Sequence, residues 1–233
     1  MIISELIQRS PVRIFMDSIH GGLKPGELGI IASPSGVGKT SVLVQIALDK
    51  LLQGKKVIHV SFTKHNDYVL AWYADIFDEF IRKKNLENEQ DVRNEIVKNR
   101  VLMKFTQGGI TDDQILRGLR SMIKDGGFNA DAIIVDGFDF PQAGEAHITA
   151  VRAFAEEMGV SVWYSCNIKG GEAFDKRNIP TVIKKYENLF SVIIVLDPKP
   201  DHIALKISRD RDIYNPEHLA LKLDPKTMLI LEE

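Results

Sequence analysis

Two rhythms of apolar and polar residues share this chain. Short continuous apolar runs bounded by Gly, Ser, Asp or Asn read as buried strands, and longer stretches with apolar residues every three or four positions read as amphipathic helices. The runs are LGIIAS from Leu28, KKVIHVSF, Val101 to Phe105, DAIIVDGFDF, VSVWYSC, SVIIVLD, HIALKIS, LALKLD and MLILE. The helical stretches start near Gly38, with Val42, Leu43, Ile46, Ala47 and Leu51 on one face and Gly54 at the end, and at Asn66, an N-cap residue type, with Val69, Leu70, Tyr73, Ile76, Phe77 and Phe80 recurring. Two more cover Thr111 to Lys124, closed by Gly126 and Gly127, and Ile148 to Met158.

Between these elements the pattern weakens. Residues 1–20 show little periodicity, and Lys24-Pro25-Gly26-Glu27 has the proline and glycine placement of a type II turn. The segment RKKNLENEQDVRNEIVKNR mixes both charge signs, as a solvated helical excursion does. The stretch NIKGGEAFDKRNIPTVIKKYENL is polar and irregular, which predicts a long loop with one helical turn. Strands alternating with helices predict an α/β fold: a mostly parallel twisted sheet flanked by helices, with antiparallel strands near the C-terminus and a site along the C-terminal edge of the parallel strands.

Composition narrows this picture. With 233 residues and 44% hydrophobic content, the chain is read as one domain spanning 1–233. Its net charge of -2 and pI near 6.3 supply no global field that would attract nucleic acid or an anionic membrane, so any such binding has to be local. A single cysteine, Cys166, cannot form an internal disulfide and fits a reducing compartment. The N-terminus MIISELIQRS lacks the charge-then-apolar layout of a signal peptide, and no long apolar run follows. A cytoplasmic protein without membrane partners is expected.

Candidate chemistry centres on residues 28–48, LGIIASPSGVGKTSVLVQIAL. A buried strand delivers a small-residue loop to a helix N-terminus, where N–H groups without intrahelical partners converge on an anion. The loop Ser33, Pro34, Ser35, Gly36, Val37, Gly38, Lys39, Thr40 and Ser41 is therefore the candidate polyphosphate cradle. Lys39 would reach the β and γ phosphates of ATP, and the Thr40 hydroxyl would hold Mg²⁺. The strict pattern G-x-x-x-x-G-K-[ST] is broken at Ser33, where it requires glycine. Asp136, closing the run AIIVD, is the carboxylate expected to hold Mg²⁺ through water, with Asp139 ranked below it because it lies beyond the apolar run.

On GGLKPGELGIIASPSGVGKTSVL, the strand-end SFTK, the Asp136 strand, YSCNIKG and ISRDRD, the chain from about Phe15 to Asp224 resembles the RecA-like P-loop ATPase core, closest to KaiC-type proteins and the ATPase domain of DnaB-type replicative helicases. The resemblance implies rings or filaments with ATP between subunits, hence a homo-oligomer. It also implies a catalytic glutamate after the second strand, where this chain reads Ser61-Phe62-Thr63-Lys64, so Thr63 replaces the general base. A threonine cannot take a proton near neutral pH, and losing such a base costs about 10²- to 10⁴-fold in rate. Asp67, one helical turn later, is the available substitute.

The glutamine that senses the γ phosphate in helicase members falls on Cys166 of Ser165-Cys166-Asn167, with Asn167 able to serve after a one-residue shift. The pair reaching a neighbour's γ phosphate matches Arg209 and Arg211, which alternate with Asp210 and Asp212. The combination implies an ATP-binding protein with impaired or slow hydrolysis, acting through nucleotide-dependent assembly or partner binding. Lys169, Lys176, Arg177, Lys184 and Lys185 beside Gly170 and Gly171, with Phe174 and Tyr186 able to stack on bases, leave a nucleic-acid partner and a helicase-like motor open. Glu172, Asp175 and Glu187 dilute that cluster. A structural homologue that has lost nucleotide binding is the third alternative, for which Ser33 speaks.

Overall fold

The computed structural model describes residues 11–62, 66–84, 89–106, 110–142, 144–169, 171, 173–216 and 221–232. Among them, ten strands form one sheet with helices on both faces. In chain order the elements are α1 (Pro11–Ser18), β1 (Leu28–Ser33), α2 (Lys39–Leu52), β2 (Val57–Ser61), α3 (Asn66–Lys84), α4 (Glu89–Lys98) and β3 (Arg100–Lys104). They continue with α5 (Asp112–Arg120), β4 (Ala132–Asp136), α6 (Glu145–Met158), β5 (Ser161–Asn167), α7 (Thr181–Lys184) and β6 (Val192–Pro198). The last strands are β7 (Ile203–Asp210), β8 (Ile213–Tyr214), β9 (Leu221–Leu223) and β10 (Ile230–Glu232).

The sheet order is β10-β9-β7-β6-β1-β5-β4-β2-β3, with β8 on β7. Strands β6, β1, β5, β4, β2 and β3 run parallel, and β7, β8, β9 and β10 join by antiparallel pairing. The expected mixture is present. Its border lies after β6, because β6 pairs in parallel with β1 through Ile31 and Ile194 before β7 returns along it. The chain leaves β1 toward β2 on one side, whereas β5 leads to β6 across β1, so a crevice opens beyond the C-terminal ends of β1 and β5.

Parallel strands covered on both faces explain the unbroken apolar runs. One face, with Ile31, Ile134 and Trp163, packs on Phe15 and Met16 of α1, Leu43 and Ile46 of α2, and Tyr73 and Phe77 of α3. The other, with Ile30, Val135 and Tyr164, packs on Ile115 of α5, Phe154 of α6, Tyr186 and Phe190.

Several elements differ from expectation in instructive ways. Helix α1 forms where little periodicity was expected, yet its buried Val12, Phe15 and Met16, with Ile19 just past its end, have the i, i+3, i+4, i+7 spacing of an amphipathic helix. Helix α2 is buried on nearly every side, including Gln45 and Asp49, rather than along one stripe. Leu70, expected inward, is 42% exposed. The helix opened by Thr111 does form a capping box with Gln114, but its last turn, Ser121–Asp125, widens into a π turn before Gly126. The turn before β1 has Gly26 at φ 85° and a Glu27 N–H to Lys24 C=O bond of 3.0 Å, as its sequence dictates.

Candidate functional site

The loop between β1 and α2 lies at the crevice. Ser33 ends β1 with ordinary strand backbone, so the position where the phosphate-loop pattern has glycine does not itself demand one here. The demand falls on Gly36, at φ 80°, and Gly38, at φ 112°. A Cβ on Gly38 would also lie 2.5 Å from Leu223 Cδ2, because β9 packs against the loop. Gly38 caps α2 without any side-chain hydrogen bond, leaving the first N–H groups of that helix directed at the crevice.

Lys39 is buried, and its Nζ donates to Ser33 O at 3.0 Å, Pro34 O at 2.8 Å and Ser33 Oγ at 3.2 Å. Burial lowers its pKa to about 8, against the opposing pull of Asp136 and Cys166. The next residue contacts the metal candidate. Thr40 Oγ1 donates to Asp136 Oδ2 at 2.9 Å, across a sheet position that the run AIIVD brings to its C-terminal end.

The other oxygen of Asp136 has a partner that the sequence reading missed. Ser165 Oγ donates to Asp136 Oδ1 at 2.6 Å and accepts the Gly137 N–H at 2.9 Å, fixing the carboxylate from the intervening strand β5. One hydroxyl and one carboxylate fit Mg²⁺, which takes one or two protein oxygens and completes an octahedron with phosphate and water. Among the described residues no group of three or more His, Cys, Asp and Glu forms an all-protein cage.

These groups share a cleft of about 290 Å³. It is lined by Gly36, Lys39, Thr40, Asp136 and Ser165, by Tyr68 and Trp72 of α3, by Met228, and by Asn167 at the end of β5. The Tyr68 and Trp72 rings meet edge to face at 6.2 Å, and Tyr68 is 59% exposed. Their i, i+4 spacing was the available signal for a shared face. On β5 the two-residue alternation decides between neighbours: Cys166 points into the core beneath, while Asn167 lies beside Ser33 and faces the cleft. Ser165 faces the same way for the same reason.

Other expected residues stand elsewhere. The Ser41 hydroxyl turns from the cleft to Met228 O at 2.5 Å, and Val37 packs on the core. Asp139 does not line the cleft. Arg209 and Arg211 are not brought to Lys39 within the chain, because Asp210 pairs with Val192 at the opposite end of the parallel strands. Arg209 donates to Glu187 O and, at 2.6 Å, to Arg211 O. Arg211 grips Glu27 at 2.8 and 3.0 Å, Gly22 O at 3.0 Å and Asp210 at 2.6 Å.

In the loop after β5, Lys184 pairs with Asp175 and, at 2.7 Å, with Glu187, and Arg177 pairs with Glu187 at 2.5 Å. Two of the five basic residues expected to face nucleic acid are thus neutralised locally. Thr63, Lys64, Gly170 and Glu172 lie outside the described residues, as does the Asp67 side chain.

Compared with known proteins, the chain matches no family model, and no curated protein matches it significantly. Among the described residues no helix is long and apolar enough to cross a membrane.

Proposed function

We propose that this chain is a Mg²⁺-ATP-binding protein of the RecA-like P-loop type, with impaired or slow hydrolysis, that acts through nucleotide-dependent assembly or partner binding. The observation that carries the reading is the convergence of Lys39, Thr40 and Asp136 at one cleft, under a loop whose Gly36 and Gly38 adopt left-handed backbone. The chemistry of each group matches a task. The α2 N-terminus and Lys39 bind polyphosphate, Thr40 and Asp136 hold Mg²⁺, Ser165 keeps Asp136 oriented, and Tyr68 and Trp72 offer aromatic area to a base.

The hydrolytic side is weaker by the same standard. Thr63 supplies no base, while Asn167 presents an amide at the cleft that can bond a terminal phosphate. Binding and turnover of Mg²⁺-ATP, measured on one purified sample, test the proposal. It expects saturable binding with turnover far below 1 s⁻¹, and turnover of about 1 s⁻¹ or faster contradicts impaired hydrolysis.

A further inference from the structure

A lysine ammonium has three N–H donors and no acceptor. In this chain three loop oxygens accept from Lys39: the backbone carbonyls of Ser33 and Pro34, and the Ser33 hydroxyl. The two carbonyls would be present whatever side chains stood at 33 and 34. The third acceptor exists only because residue 33 carries a hydroxyl, and at 3.2 Å it is the longest of the three contacts. Ser33 is fully buried, and its hydroxyl donates to Pro34 O at 3.0 Å, so its proton is engaged by that carbonyl and the oxygen meets Nζ as an acceptor. The local backbone gives no separate reason for the side chain, since β1 ends there in ordinary strand geometry.

Resting on the reading of this cleft as a polyphosphate site, we infer that the Ser33 hydroxyl is a brake on phosphate binding, holding the one Lys39 N–H that an incoming β or γ phosphate has to recover. Exchange of that bond leaves a buried hydroxyl lone pair without its cationic donor, which costs free energy in the bound state and none in the empty one. An alanine or a glycine at 33 offers no such acceptor, and the third donor then turns to water until phosphate arrives. Ser33 is therefore an affinity-setting residue. The site is tuned to bind more weakly than its loop geometry allows.

The test is titration of Mg²⁺-ATP by calorimetry into the wild-type chain, Ser33→Ala and Ser33→Gly. The brake predicts that both variants bind about fivefold tighter than wild type, by equal factors, because both remove the same acceptor. A gain of affinity cannot arise from misfolding. A gain in Ser33→Gly alone assigns the effect to a looser backbone and overturns the inference, as does unchanged or weaker binding in Ser33→Ala. If none of the three chains binds Mg²⁺-ATP, the polyphosphate reading itself fails and the brake falls with it, an outcome distinct from a wild type that binds without any gain in the variants.

Discussion

At the scale of single residues, the departures from a familiar loop pattern have separable physical meanings. Glycine is needed where backbone is left-handed, at Gly36 and Gly38, and not at Ser33, where the strand geometry accepts any side chain. Burial gives the Lys39 ammonium a pKa of about 8, against the opposing pull of Asp136. Bound phosphate favours the charged form and raises that value, so affinity for Mg²⁺-ATP should be constant below pH 8 and fall about tenfold per unit above it. Calorimetric titrations between pH 7 and 9.5 read this directly; a flat profile would show that Lys39 does not engage the phosphates. The stability linkage has the opposite sign. With the folded value below the unfolded value of 10.5, the unfolded chain binds more protons between pH 8 and 10.5, and this group's contribution to stability rises with pH there.

At the scale of elements, α2 connects the loop after β1 to the C-terminal hairpin. Gln45 donates to Met228 O at 2.9 Å and accepts the Ile230 N–H at 2.9 Å, while Ser41 donates to the same carbonyl. Gln45→Ala leaves the Ile230 N–H buried without an acceptor and should lower unfolding free energy by about 1–3 kcal/mol in denaturant melts. No loss would mean that the hairpin is not held through α2. The core-forming elements were legible because parallel strands covered on both faces write continuous apolar runs, whereas the capping box that Thr111 and Gln114 spell went unread.

What stayed hidden depends on non-local geometry. The sequence does not say that β5 lies between β1 and β4, and only that adjacency makes Ser165 the support of Asp136. The outward turn of Ser41 likewise depends on a hairpin almost 190 residues downstream. Strand alternation could have separated Cys166 from Asn167, since neighbours on a strand face opposite ways.

At the scale of the molecule, one arginine and two buried histidines do not line the cleft. Arg211 ties the β7–β8 turn to Glu27 and Gly22 just ahead of β1, so Arg211→Ala should lower the melting temperature of the nucleotide-free chain. An unchanged melting temperature, together with altered nucleotide-linked sedimentation, would instead place its main role against a neighbouring subunit. Beneath the cleft, His59 is fully buried, with Nδ1 3.1 Å from Tyr73 Oη, and burial pushes its pKa down to about 4. Burial also lowers that of His147, whose ring stacks on Phe138. Both folded values lie below the unfolded 6.5, so the unfolded chain takes up more protons on acidification. Stability should fall between pH 6.5 and 4, and His59→Phe should flatten that slope; a wild-type slope that survives unchanged contradicts this assignment.

The central claim is that the cleft binds Mg²⁺-ATP through Lys39, and calorimetry on wild type and Lys39→Ala at pH 7.5 tests it most directly. The account predicts one saturable site per chain in wild type, with thermal stability raised by about 2.7 kcal/mol at a hundredfold excess over the dissociation constant, and loss of that site in the variant. Absence of binding by the folded wild-type chain, or equal binding by Lys39→Ala, would contradict it.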